Sequence, residues 1–112
     1  VEGEKLAKQY AELEKADQVD FYNGLEGYYS VLGHNKKQEA IAVLIEKNDH
    51  KIYVYQLDKG ISQDKAATIS REKGASDIDK ITFGRYQDKP IWEVKSGNQY
   101  YLVDFETGAV IQ

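Results

Sequence analysis

The stretch from Pro90 to Gln112 reads PIWEVKSGNQYYLVDFETGAVIQ, and its pattern predicts a β-hairpin followed by a further turn. Ile91, Trp92 and Val94 form one short strand, Gly97 and Asn98 break it, and Tyr100 to Phe105 form the next. Two such runs joined by a Gly-Asn pair are a strong local hairpin signal. Glu106, Thr107 and Gly108 then turn the chain, and Ala109 to Ile111 start a third short strand.

Immediately upstream, Ile78 to Tyr86 reads as a strand, with Gln87 to Lys89 turning into the hairpin. Residues 61–74 read as a helix. Ser62 is its natural N-cap, because a hydroxyl there accepts from a free N–H of the first turn. Asp64 suits the positive end of the helix, and Gly74 suits a left-handed stop.

The N-terminal half shows the same order. Residues 4–16, EKLAKQYAELEKA, place Leu6, Tyr10 and Leu13 at i, i+4 and i+7, with Ala7, Ala11 and Ala16 beside them, which predicts an amphipathic helix. Val19 to Tyr22 and Tyr28 to Leu32 follow as strands, separated by Asn23-Gly24, and Gly33 to Gln38 reads as a polar turn. Glu39 to Glu46, EAIAVLIE, is a nearly continuous apolar run, the mark of a central strand buried on both faces. Asn48, Asp49 and His50 turn the chain, and Ile52 to Leu57 returns with Ile52 and Val54 on one face and Tyr53, Tyr55 and Leu57 on the other. The expected fold class is therefore α+β, built as two units of one grammar, residues 1–58 and residues 59–112, each a helix packed on an antiparallel sheet. A half of roughly 55 residues is marginal alone, so the two are expected to share burial.

Composition bounds the function. The chain has 112 residues and a formal net charge of −4, which argues against nucleic acid, since phosphate neutralisation needs a basic patch. Residues 1–58 hold seven Lys/Arg against eleven Asp/Glu, and residues 59–112 hold eight of each, so the acidity belongs to the first half. There is no cysteine, which removes disulfides, thiol catalysis and thiolate zinc sites. No apolar run in this sequence approaches the roughly 20 residues of a membrane helix, and no stretch of it reads as a signal peptide. The chain starts at Val1 without Met, so it is expected to be cut from a longer protein.

His34 and His50 sit in polar turns without a second His at ligand spacing, so no metal site and no cofactor is expected. Ser30, Ser62, Ser70, Ser76 and Ser96 lack a G-x-S-x-G elbow and an evident base, so no catalytic residue is assigned. Asp104, ahead of Thr107-Gly108, reads either as a cation or amine ligand or as a turn former whose carboxylate satisfies backbone N–H groups. Glu93 and Asp104 also read as separate surface carboxylates rather than an acid–base pair. The most informative set is aromatic. Tyr28, Tyr53, Tyr55, Trp92 and Tyr100, with Asp104, are the candidate binding residues, because Tyr and Trp bury large area yet keep a polar tip. Alternation sends Tyr28 and Tyr29 to opposite faces, so one face is core and the other is either covered or open for recognition.

The C-terminal half resembles a PepSY-type domain. The resemblance lies in the helix opening Gly60-Ile61-Ser62-Gln63-Asp64-Lys65-Ala66-Ala67, the strand Ile91-Trp92-Glu93-Val94, and the run Tyr101-Leu102-Val103-Asp104-Phe105-Glu106-Thr107-Gly108. The chain as a whole looks like the extracytoplasmic part of the YpmB-like proteins of Gram-positive bacteria, with Phe21-x-x-Gly24 and Tyr28-Tyr29-x-Val31-x-Gly33 in its first half. That half lacks the D-x-x-T-G turn and so departs from the PepSY pattern. The resemblance implies tandem cystatin-like, PepSY-type units held at the cell membrane by an N-terminal helix not contained in this sequence. It implies an extracytoplasmic, non-catalytic envelope module that binds a protein or peptide and restrains a peptidase. The alternative is a small-ligand or glycan sensor with an aromatic cleft between the units.

Overall fold

The computed structural model describes residues 2–10 and 12–111. The chain divides into two compact units, Val1–Leu57 and Asp58–Gln112. Both are antiparallel sheets accompanied by one helix.

In the first unit, helix α1 (Glu2–Tyr10) precedes strands β1 (Leu13–Asn23), β2 (Gly27–Asn35), β3 (Ala40–Glu46) and β4 (Ile52–Gln56). They form a meander in the order β1-β2-β3-β4. The apolar run of β3 is central, as its composition predicts: Ile41, Ala42, Val43, Leu44 and Ile45 are all fully buried. Because successive side chains alternate, both faces of the sheet are dry at β3. One face forms the core cluster of Leu13, Val31, Ile41, Val43 and Ile45 with Ala7 of α1, and Leu6, Ala16, Val19, Tyr29 and Ile52 pack against it. On the opposite face Tyr22, Tyr28, Ser30, Leu32, Ala42 and Leu44 are buried as well.

The expected helix over 4–16 overruns. Helix α1 stops at Tyr10, and Leu13 to Ala16 belong to β1, paired with Gly33 to Asn35. Glu12, at φ +58°, takes a left-handed conformation that no helix interior accommodates. Ala11 and the Tyr10 side chain lie outside the described residues. Leu13 still reaches the core, but as a strand residue. The expected turn over Gly33–Gln38 is likewise shorter, since β2 continues to Asn35. Gly33 allows this. A Cβ there would lie 2.0 Å from the carbonyl oxygen of Lys15, beside the register shift between Ala16 and Gln18. The bulge brings two backbones too close for any side chain.

In the second unit, a 3₁₀ turn at Leu57–Lys59 leads to α2 (Gln63–Glu72), then β5 (Lys80–Tyr86), β6 (Lys89–Ser96) and β7 (Gln99–Asp104), in the order β5-β6-β7. Ser62 caps α2, accepting from the Lys65 N–H at 3.0 Å. The helix ends in a Schellman motif: Ala75 N–H donates to Ser70 O, Gly74 N–H donates to Arg71 O, and Gly74 takes φ +117°. The Gly97-Asn98 hairpin forms, with Ser96 opposite Gln99 and Gly97 at φ +61°. The core here is aromatic. Phe83 stands edge-on to Trp92 at 4.9 Å and to Phe105 at 5.2 Å. Of the expected third strand at 109–111, only Val110 bridges β7, opposite Val103.

Gly33→Ala is expected to lower stability by about 1–3 kcal/mol through forced overlap with Lys15. Gly97→Ala, with open space around it but a positive φ, is expected to cost about 1–2 kcal/mol. Urea unfolding midpoints at unchanged m-value check both.

Candidate functional site

The six residues singled out from sequence fall in three situations. Tyr28, Tyr53 and Tyr55 share the face of the first sheet opposite α1, because Leu44 pairs with Tyr53 and Ala42 with Tyr55. Tyr28 bridges Tyr22 at 6.5 Å and Tyr53 at 6.3 Å, but it is itself buried, and Tyr53 and Tyr55 are partly buried. This row is packing rather than an open aromatic surface. Trp92 is a core residue too: it is buried, and its indole N–H donates to Ile61 O at 3.0 Å. Asp104 is buried in a turn, where one carboxylate oxygen accepts from the N–H groups of Glu106 (2.8 Å) and Thr107 (3.1 Å). Gly108 at φ +82° closes that turn by donating to Asp104 O. Of the set, Tyr100 alone is exposed, at 54%. Register puts it on the face of β7 opposite Trp92, so the second sheet does not bring those two aromatics together.

A different arrangement emerges at one end of the first sheet. The β1–β2 turn (residues 24–26) and the β3–β4 turn (residues 47–51) lie side by side there, tied by Lys47 N–H donating to Gly27 O at 2.9 Å. Leu25 projects from the first turn with 74% of its surface exposed. Phe21, near the end of β1 that leads into this turn, is 42% exposed yet fixed in place. Its ring lies across Gly27, where a Cβ would come within 2.7 Å, and stands edge-on to Tyr29 at 5.6 Å. The Lys47 ammonium sits 5.6 Å from the ring centroid. Ordered apolar side chains with a cationic neighbour suit recognition, because little freedom is lost when a partner covers them.

Carboxylates crowd the same end. Glu46 is held among Glu26 and Asp49, and Tyr28 donates its hydroxyl to Glu26 at 3.2 Å. Sharing hydrogen bonds with Glu26 and Asp49, together with burial and their charge, raises the Glu46 carboxyl to about 7. In the second unit, burial also pushes Glu93 up, opposed by the Lys80 charge. Asp17 and His34 pair at 2.9 Å across β1 and β2. Among the described residues, no group of three or more His, Asp or Glu is placed to hold a metal ion.

On the α1 side, the row that begins with Phe21 runs through Tyr29, Ile45 and Ile52. It ends at a pocket of about 240 Å³ lined by Leu6, Ile45, His50 and Ile52. Sequence reading named none of these as site residues. An apolar Leu25 inside a turn was the available signal. The Glu26–Glu46–Asp49 cluster and the pocket need strand pairing to be seen.

Comparison with known proteins agrees with the fold. The signature of the Cell wall elongation regulator TseB-like domain matches residues 2–46. The Probable cell wall elongation regulator TseB of Bacillus subtilis (strain 168) is 37% identical over 114 residues, 95% of this chain and 70% of that protein. The solved structure of the YpmB protein from Bacillus subtilis superposes with a TM-score of 0.84 at 33% identity, covering 99% of this chain and 92% of that one. The chain belongs to the TseB/YpmB-like family. No helix among the described residues is long and apolar enough to cross a membrane.

The sign of the Glu46 effect follows from its direction. The folded state holds the proton up to about pH 7, whereas the unfolded carboxyl releases it near 4.5. The contribution of Glu46 to stability is therefore largest below pH 4.5, falls as the pH rises towards 7, and carries its full penalty above that. Glu46→Gln is expected to flatten this slope and to raise the urea midpoint above pH 7. An unchanged slope in the variant would contradict the assignment.

Proposed function

We propose that this chain is a non-catalytic, extracytoplasmic module of the cell envelope that acts by binding a protein or peptide. The observation that carries the reading is the hairpin end of the first sheet: two exposed apolar side chains, Phe21, held against Tyr29 and Lys47, and Leu25 in the turn that follows, beside a charged rim. The relationship to a protein described as a cell wall elongation regulator supports an envelope setting and a regulatory role. The finer reading is a pair of cystatin-like, PepSY-type units that restrain an envelope peptidase by occlusion. In that mechanism turns and strand edges cover the partner's cleft and no bond is made or broken. The polar chemistry inside the chain fits it: the Trp92 indole and the Asp104 carboxylate are engaged in holding turns and strands.

A photo-crosslinking side chain in place of Leu25 tests the reading in intact envelopes. The expected result is one discrete protein adduct, lost when Phe21→Ala is added, and absent when the same group replaces the exposed Thr68 of α2. Equal labelling from both positions, or labelling of no protein, would contradict it.

A further inference from the structure

Strand β4 ends the first sheet, and no strand among the described residues pairs with its outer edge, which has the features of a peptide seat. Glu46 N–H donates to Lys51 O at 2.8 Å, which fixes the alternation of the β3–β4 ladder. Leu44–Tyr53 and Ala42–Tyr55 are then the hydrogen-bonded pairs. The main-chain groups of Ile52, Val54 and Gln56 consequently point away from β3. Val54, on the α1-side face of β4 opposite Val43, is 48% exposed.

An open edge is a hazard that proteins ordinarily blunt with charge, proline, a bulge or a covering segment. Elsewhere this chain does so. Strand β1 carries Glu14, Lys15, Asp17 and Asp20 and two register shifts. The outer edge of β7 is covered by residues 109–111, with Asp104 N–H donating to Ala109 O and Ile111 N–H to Leu102 O. Strand β4, IYVYQ, has no charged residue, no proline and no register shift.

The pocket lies beside this edge. Ile45 and Ile52 are opposite one another and form its floor, and Leu6 of α1 and His50 complete it. A strand added next to β4 would run about 4.8 Å away. Its residue opposite Ile52 would continue the Tyr29–Ile45–Ile52 row and enter the pocket. The residue two places along would cover Val54. At about 240 Å³ the pocket is smaller than the roughly 300 Å³ where small-molecule sites begin, and it suits a single apolar side chain.

With the protein- or peptide-binding reading above as its basis, we propose that the outer edge of β4 receives an extended segment of a partner protein as an added strand. That segment carries apolar side chains at alternate positions, one seated in the Leu6–Ile45–His50–Ile52 pocket and the next over Val54. Main-chain hydrogen bonds to Ile52, Val54 and Gln56 supply affinity, and the pocket supplies selectivity.

The test is a displayed library of random linear peptides selected on the whole chain, with enriched sequences made as blocked synthetic peptides. The expected outcome is an apolar-x-apolar pattern and amide shifts centred on Ile52, Val54 and Gln56. Val54→Pro removes an outward N–H and leaves the β3 ladder intact, so it should weaken binding roughly tenfold or more. N-methylation of the peptide at one set of alternate amides should abolish binding, and at the other set should leave it unchanged. This control does not depend on how a protein variant folds. Peptides that bind Val54→Pro equally, or tolerate methylation in both sets, would overturn the edge inference while leaving peptide binding standing. No enriched peptide, alongside a discrete adduct from Leu25, would overturn the edge inference alone; failure of both would remove the binding function too. A concentration-dependent dimer of the free chain, abolished by Val54→Pro, would assign the edge to a second copy and overturn the partner form.

Discussion

Strand β3 can be dry only if it has a neighbour on each side and cover above and below. Ile41, Val43 and Ile45 point towards α1, and Ala42 and Leu44 point the opposite way, all with almost no exposure. Burial of each large apolar side chain contributes about 1.5–3 kcal/mol, so the strand has no favourable position at a sheet margin. Its place fixes β2 and β4 as flanking strands, and with them which turns meet at which end. The middle of the sheet is consequently apolar on both faces. Groups able to meet a partner are displaced to the turns and to the edge.

The second unit reaches a similar state with aromatic rings. Phe83, Trp92 and Phe105 pack edge to face, and the Trp92 indole bonds Ile61 just ahead of α2. Ile61 N–H in turn donates to Phe105 O, so the segment entering the helix is fastened to the end of β7. The Asp104–Gly108 turn holds that end in shape through three backbone donors. The residues that carry the resemblance to PepSY-type domains are thus, in this chain, the ones that hold the unit together.

Local patterns predicted well whatever depends on neighbours in sequence. The run of β3, the Ser62 cap, the Gly74 stop and the Gly97-Asn98 turn each have a cause within a few residues. The helical pattern runs past the end of α1 because Leu13 satisfies both the helical spacing after Leu6 and a place in β1 opposite Asn35. Only pairing with β2 decides between them. Burial of Trp92, Tyr28 and Asp104 was equally hidden, since an aromatic or acidic residue in a strand reads the same whether it faces core or solvent. The hairpin end and the β4 edge were illegible for a geometric reason. Glu26 meets Glu46, and Leu6 meets Ile52, only once the meander has closed.

A buried sheet with an available margin has a signature in native-state hydrogen exchange read amide by amide. The amides of residues 41–45 should be the slowest in the first unit, because their bonds open only with the sheet. Along β4, Tyr53 and Tyr55 should exchange slowly and Ile52, Val54 and Gln56 quickly, a two-residue alternation that follows from the ladder to β3. Uniform protection along β4 would mean that its edge is already closed, and rapid exchange within 41–45 would mean that the sheet is not organised around β3; either would contradict the account.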